Sequence, residues 1–294
     1  MKFQIPIIFI IIFNLSLLNA VEVNSGFDEN HWKESMIKSR FEKDEDFKTS
    51  PISPMSGLLR ETIKTDENLY VYLGNGKIRF SIKKSDSPII SVTRINDKWF
   101  TVDGSGKKTE RKISRETFKI DRFTFMCYPL EDRFILIAFD PERDMQKHFK
   151  NLLYYPPNAK FRVNAKIKRF EKVKKRVVKT SRDLEKTLIE YGKVHFSIDG
   201  KELSLLAFKF TEDKNDPDYK YLFLPFFDKT SENETYEGGR FLEVIENDCD
   251  EVIIDFNECY NPLCNYAHVY NCTLPPFENE LDIRIEAGEK LYPH

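Results

Sequence analysis

Ten polar residues near the end of the chain have the types and spacing to do chemistry. They are Asp228, Thr230, Tyr236, Arg240, Asp255, Asn257, Glu278, Asn279, Glu286 and Glu289, with Thr235 beside them. They fall around short apolar runs at 221–227, 240–245 and 252–256 that read as strands, so a β scaffold would present them at one end. Carboxylates gathered near Arg240 would shift apart in pKa and divide acid and base roles. The same oxygens could hold a hard cation such as Ca²⁺ or a polar ligand. Asp-x-Thr and Asp-x-Asn are also Asx-turn patterns, and an Arg–carboxylate pair can simply brace a corner. Bracing, binding and catalysis are all open on residue type alone. No Gly-x-Ser-x-Gly, His-Glu-x-x-His or Walker loop occurs, so no catalytic residue, cofactor or metal is assigned.

The cysteines are Cys127, Cys249, Cys259, Cys264 and Cys272. In an oxidising compartment an odd count leaves one without an intramolecular partner. Cys264–Cys272 is the expected disulfide, with other connectivities open. Cys264-x3-His268-x3-Cys272 also has soft ligands at even spacing, but it lacks the two-residue Cys–Cys clip usual in structural zinc sites. Cys264 as a nucleophile beside His268 is a further option, which a disulfide would remove. His195 alternates with Val194 and Phe196 and points away from both. Asn233-Glu234-Thr235 and Asn271-Cys272-Thr273 are N-glycosylation sequons, expected to be used if the chain enters the secretory route.

That route is suggested by the first residues. Residues 1–20 carry one charge, Lys2, and an apolar run ending in Leu18-Asn19-Ala20, the pattern of a cleaved signal peptide. A secreted protein, or one of an endomembrane lumen, is therefore expected, with no transmembrane helix after cleavage. The formal charge of −2 gives no global case for nucleic acid. Charge is uneven, however: residues 160–182 hold eleven Lys/Arg against one acid, and 228–258 hold eleven acids against Lys229 and Arg240. The basic stretch could meet an anionic surface. Its few aromatics argue against stacking on nucleic-acid bases.

The elements that must position these groups are mostly strands. Residues 21–56 give a helix and linker: Phe27, Trp32, Met36 and Phe41 are spaced for one amphipathic helix over about 28–41, with Asp28 as N-cap. Pro51 and Pro54 end it. Residues 57–140 form a first β module, with a hairpin at Gly74-Asn75-Gly76. Asp140-Pro141 closes it. Residues 141–294 form a second. There Phe161, Val163, Ala165 and Ile167 alternate with basic and polar residues, a bulge is expected at Arg169-Phe170, and Asp199-Gly200 turns another hairpin. No element is assigned over 183–190. The fold class is thus mainly β: an N-terminal helix and two antiparallel modules, barrel- or sandwich-like.

Over residues 130–290 the chain resembles DUF1684, a domain of unknown function found mainly in bacteria and archaea. The matching signposts include Asp140-Pro141, Tyr155-Pro156-Pro157, Phe227-Asp228-x-Thr230, Thr235-Tyr236-x-Gly238-Gly239-Arg240 and Asp255-Phe256-Asn257. They continue through Asn261-Pro262-x-Cys264, Cys272-x2-Pro275-Pro276-x-Glu278-Asn279 and Glu286-Ala287-Gly288-Glu289-Lys290. The resemblance implies a DUF1684-like second module and no activity that can be carried over. The chain departs from the pattern at Glu258-Cys259, where the family often has Arg-Ala. The expected function is a binding module for a small ligand or glycan, with its site in residues 228–289. The alternatives are a hydrolase-like enzyme using the carboxylates with Arg240, or a purely structural domain.

Overall fold

Asp28 starts the first element, as its position before a helical pattern predicts. In the computed structural model, which describes residues 26–182, 185–246 and 249–293, its carboxylate accepts the N–H groups of Asn30 and His31 at 3.0 and 3.1 Å. The expected signal peptide lies outside the described residues. Helix α1 spans Glu29–Thr49, past its expected end at 41. Residues 42–48 contain no glycine, proline or β-branched residue, so nothing stops the helix before Pro51. Its buried face also differs from expectation. Met36 and Phe47 are buried, while Phe27 and Phe41 are exposed, and polar side chains do much of the docking described below.

The chain forms two units. One holds α1 as far as Glu45, Lys150–Tyr266 and Asn271–His294; the other holds Asp46–Phe149 and Ala267–Tyr270. In the latter, the strands are β1 (Gly57–Lys64), β2 (Leu69–Gly74), β3 (Lys77–Ser81), β4 (Ile90–Ile95), β5 (Lys98–Asp103), β6 (Lys108–Arg111), β7 (Glu116–Ile120), β8 (Phe123–Pro129) and β9 (Arg133–Phe139). They make a four-stranded sheet, β1-β9-β8-β7, and a five-stranded sheet, β3-β2-β4-β5-β6. Inward residues of both, among them Ile63, Val71, Val92, Trp99, Phe125 and Leu136, share one apolar core. The expected hairpin joins β2 to β3, with Asn75 and Gly76 both at positive φ, the conformation a two-residue turn needs to match strand twist. A short helix, α2 (Asp144–Lys147), follows.

The unit with Lys150–Tyr266 holds β10 (Arg162–Lys179), β11 (Glu185–Ile198), β12 (Lys201–Lys209), β13 (Tyr221–Asp228), β14 (Arg240–Ile245), β15 (Glu251–Asp255) and β16 (Glu280–Leu281). Its sheet runs β14-β13-β12-β11-β10-β15, and β16 pairs with β13 in parallel. The fold is mainly β with antiparallel sheets, one of them nearly closed and barrel-like. Alternation puts Ala165, Ile167, Val194, Phe196 and Leu205 inside, packed with Leu222, Phe226, Ile254 and Phe256. The register of β10 against β11 shifts between Arg169 and Lys174, at the expected bulge. Gly192 sits opposite: a Cβ there would lie 2.8 Å from the Lys168 carbonyl oxygen, so only glycine lets the backbones close at this point. Residues 185–190, left unassigned from sequence, belong to β11. Their charged residues hide a strand whose pairing with 174–179 is made at long range.

Candidate functional site

The ten candidate residues separate into four settings. The first is a brace centred on Arg240, the first residue of β14, which has no exposed surface. Its Nη2 donates to Asp228 Oδ1 at 3.0 Å and to the Ile285 carbonyl at 2.8 Å; Nη1 donates to the Ala287 carbonyl at 2.5 Å and the Glu289 carbonyl at 3.3 Å. Asp228 ends β13 and accepts the Thr230 hydroxyl at 2.9 Å and the Ile285 N–H at 2.7 Å, while Thr230 meets Thr235 at 3.0 Å. Two adjacent strand ends thus hold the 285–289 loop through one neutralised guanidinium. Such a pair is stable only when most of its remaining hydrogen-bonding capacity is used; here the loop carbonyls take both Nη groups, while Nε is buried without a partner.

The second setting is centred on Asp255, the last residue of β15. Its Oδ1 accepts the backbone N–H of Asn257 at 3.0 Å and the Asn257 side-chain amide at 2.8 Å. Its Oδ2 accepts the Trp32 indole N–H at 2.8 Å, and Arg162 Nε lies 3.7 Å away. Asn257 then mimics a backbone partner for Asn158: its Nδ2 donates to the Asn158 carbonyl and its Oδ1 accepts the Asn158 N–H, both at 2.9 Å. Arg40 from α1 donates to the Tyr155 carbonyl at 2.8 Å and the Asn257 carbonyl at 3.2 Å. Burial raises the Asp255 pKa, opposed by its hydrogen bonds with Asn257 and Trp32. Three residues on, burial and then the Asp255 charge push the half-buried Glu258 carboxyl up to about 8.

A cleft of about 420 Å³ opens beside this cluster, between Glu29 and Lys33 of α1, the turn over 155–159, and Glu286. Both of its larger walls are tied to Asp255. Trp32, one position from Lys33, carries the helix, and Asn257 carries the turn. Pro156 and Pro157 supply apolar surface, buried Tyr155 backs them, and Glu29, Lys33 and Glu286 supply charge at the rim.

The third setting is built around Glu289 and Asn279. Buried Glu289 accepts Lys43 Nζ at 2.5 Å, the Asn261 N–H at 2.7 Å and the Tyr266 hydroxyl at 2.8 Å, locking α1 to the C-terminal loop. Asn279 serves the sheet. β12 and β13 meet in register at a single pair, Phe208 opposite Phe223. Asn279 spans them instead, accepting the Leu206 N–H at 2.7 Å and donating to the Leu206 and Pro225 carbonyls at 3.0 and 2.8 Å.

The fourth setting is the surface. Glu278 pairs with Arg176 at 2.8 Å and Glu286 with Arg284 at 2.8 Å. Tyr236 stands apart, its hydroxyl 3.6 Å from Cys264 Sγ. No disulfide joins any of the five cysteines. The expected Cys264–Cys272 bridge is replaced by a hydrogen bond from the Cys264 N–H to Cys272 Sγ at 3.2 Å. Among the described residues, no group of three or more His, Cys, Asp or Glu side chains is disposed to hold a metal ion. Asn233 is exposed, whereas Asn271 is half-buried with its Oδ1 enclosed.

Sequence reasoning did not single out Arg40, Lys43, Asn158, Arg162 and Glu258 as site residues. Only Glu258 carried a usable signal, as the point of departure from the family pattern. The others enter through contacts far apart in the chain.

The family model described as a protein of unknown function, DUF1684, matches residues 147–290. No curated protein matches the chain. Among solved structures, an uncharacterised protein of Haloarcula marismortui, determined in solution by NMR, shares 32% identity over 51% of this chain and 82% of its own, with a TM-score of 0.43.

Proposed function

The chain belongs to the DUF1684 family, and we propose that it is a binding module whose cleft beside Asp255 takes a hydroxyl-rich polar ligand, with glycans as the class. The carrying observation is that one carboxylate fixes both larger walls of that cleft, through Trp32 on one side and the Asn257–Asn158 pair on the other. A site preorganised in this way loses little entropy when a ligand enters. Pro156 and Pro157 offer apolar surface for the C–H side of a sugar ring. Glu29 and Glu286 can accept hydroxyl hydrogens, and Lys33 can donate.

The hydrolase alternative has less support, because it needs Arg240 at a substrate and Arg240 has no exposed surface. The apolar run within residues 1–20 supports secretion or residence in an endomembrane lumen. Lys166, Lys168, Lys172, Lys174 and Lys175 are exposed on β10, which supports a secondary contact of residues 160–182 with an anionic surface.

Saturation-transfer NMR with a panel of neutral mono- and disaccharides tests the cleft. Glu286→Ala and Lys33→Ala remove only surface ion pairs, which contribute about 0–1 kcal/mol to folding. Each should nevertheless weaken sugar binding about tenfold or more, since each removes a charge-assisted hydrogen bond to the ligand. Unchanged binding in both variants, or no binding by the wild type, rejects the proposal.

A further inference from the structure

A second reactive place lies away from the cleft, where four segments of one unit meet. Cys264 sits in the turn Leu263–Asn265 and Cys272 in the extended segment that bridges back to the end of β10 through Thr273 and Thr180. The Cys264 N–H donates to Cys272 Sγ at 3.2 Å. The second sulfur therefore lies against the backbone of Cys264. The Cys272 N–H donates to Ser181 Oγ at 3.1 Å, and the Ser181 N–H donates back to the Cys272 carbonyl at 2.8 Å. Ser181 therefore fixes the residue that carries the second sulfur. Tyr236 completes the group, its hydroxyl directed at Cys264 Sγ at 3.6 Å. The ring is seated on Gly238, where a Cβ would lie 2.5 Å from Tyr236 Cε1, so a side chain at 238 would displace the hydroxyl. Both cysteines are partly exposed, which lets a small reagent approach.

We propose that Cys264 and Cys272 form an oxidant-reactive dithiol, with Cys264 the sulfur attacked first and Cys272 the one that resolves the product to a disulfide. The oxidant class is a hydroperoxide. Cys264 thiolate attacks the terminal oxygen, so that an S–O bond forms, the O–O bond breaks, and the departing alkoxide takes a proton to leave as an alcohol. Cys264 is then a sulfenic acid. Cys272 gives up its proton and attacks the Cys264 sulfur; the S–S bond forms, and the hydroxide expelled takes that proton and leaves as water. Two thiols lose two electrons, and one hydroperoxide is reduced to an alcohol and water.

The surroundings assign the roles. The Cys272 thiol, and after it the Tyr236 and Ser181 hydroxyls, donate to the Cys264 sulfur and lower its pKa to about 7, against the opposing effect of burial. Burial first, then Cys264 itself, raise the Cys272 pKa well above the usual thiol value. One thiol is therefore ready to ionise near neutrality while its neighbour holds a proton to give. About half of Cys264 would be thiolate at pH 7, against about 3% for an ordinary thiol. The lower basicity of its sulfur reduces the net advantage in rate to about threefold.

The test uses the full chain, reduced and then freed of reductant, with hydrogen peroxide as probe and mass spectrometry of alkylated peptides as readout. The expected product in the wild type is a peptide pair linked Cys264–Cys272. In Cys272→Ser, a dimedone adduct accumulates on Cys264; in Cys264→Ser, Cys272 stays a thiol. The rate of Cys264 alkylation by iodoacetamide should rise with a midpoint near pH 7, and Tyr236→Phe should move that midpoint upward. The wild-type arm decides alone if a variant fails to fold. Absence of the linked peptide, or an alkylation midpoint at the ordinary thiol value of about 8.5, overturns the proposal.

Discussion

Glu258→Gln is the substitution whose consequence follows most directly from the structure. The Glu258 carboxyl titrates at about 8 in the folded protein instead of its ordinary 4.5, because burial and then the Asp255 charge disfavour its ionised form. A raised acid pKa means that the folded chain holds a proton the unfolded chain has released. Stability must therefore fall as pH rises from the unfolded value to the folded one, and it is fully present only below the unfolded value. Integrating between about pH 5 and pH 8 gives a loss of roughly 3–4 kcal/mol from this one group, an upper bound for a half-buried carboxyl. The substituted amide cannot ionise, so the variant lacks this loss. It should match the wild type within about 1 kcal/mol near pH 5 and exceed it by roughly 2–3 kcal/mol near pH 8. The chain has two tryptophans, Trp32 and Trp99. Urea unfolding in a Trp99→Phe background, followed by Trp32 fluorescence, reports on the unit that contains Glu258. Stability curves for Glu258→Gln and its parent that run parallel from pH 5 to 8 would refute the reasoning.

Arg240→Ala should destabilise the protein by about 3–5 kcal/mol, because it leaves Asp228 buried without its counter-charge; adding Asp228→Ala should cost much less than a second such loss in denaturant unfolding, since the two act as one unit. Asn279→Ala strips hydrogen bonds from the Leu206 N–H and the Leu206 and Pro225 carbonyls; the expected loss is about 2–4 kcal/mol, with faster hydrogen exchange at Leu206 as the local readout. Trp32→Phe removes the indole bond to Asp255 while keeping the aromatic body; it should weaken sugar binding several-fold without touching ligand, and wild-type affinity in this variant would break the link between Asp255 and the cleft.

The turns of this fold were plain in the sequence because their chemistry is local. Asn75-Gly76 and Asp199-Gly200 both take positive φ between paired strands, as such dipeptides do. The Asx patterns were equally local: Asp228 does accept from Thr230, and Asp255 from Asn257. What could not be read was which motif would meet which. Asp228 and Arg240 lie at the ends of adjacent strands, whereas Asp255 ends β15 at the other edge of the strand order, so residues in one stretch of sequence divide into separate clusters. One partner of each of Asp255 and Glu289, Trp32 and Lys43, comes from α1, more than two hundred residues away, and no periodicity reports such a pairing. The helix misled for a related reason. Of Phe27, Trp32, Met36 and Phe41, to which its hydrophobic spacing pointed, Met36 is buried and Trp32 bonds Asp255, but Phe27 and Phe41 are exposed, and Arg40 and Lys43 add contacts with carbonyls and a carboxylate. The Cys264–Cys272 disulfide expected from spacing is not formed; the two residues are joined instead by a hydrogen bond from the Cys264 N–H to the Cys272 sulfur.

Amide chemical-shift mapping of the full chain against the saccharide panel tests the central claim most directly. The account predicts saturable shifts at residues 29–33, 155–159 and 286, with Asn257 following because it carries the turn. Shifts confined to residues 160–182, or none at saturating sugar, would contradict it.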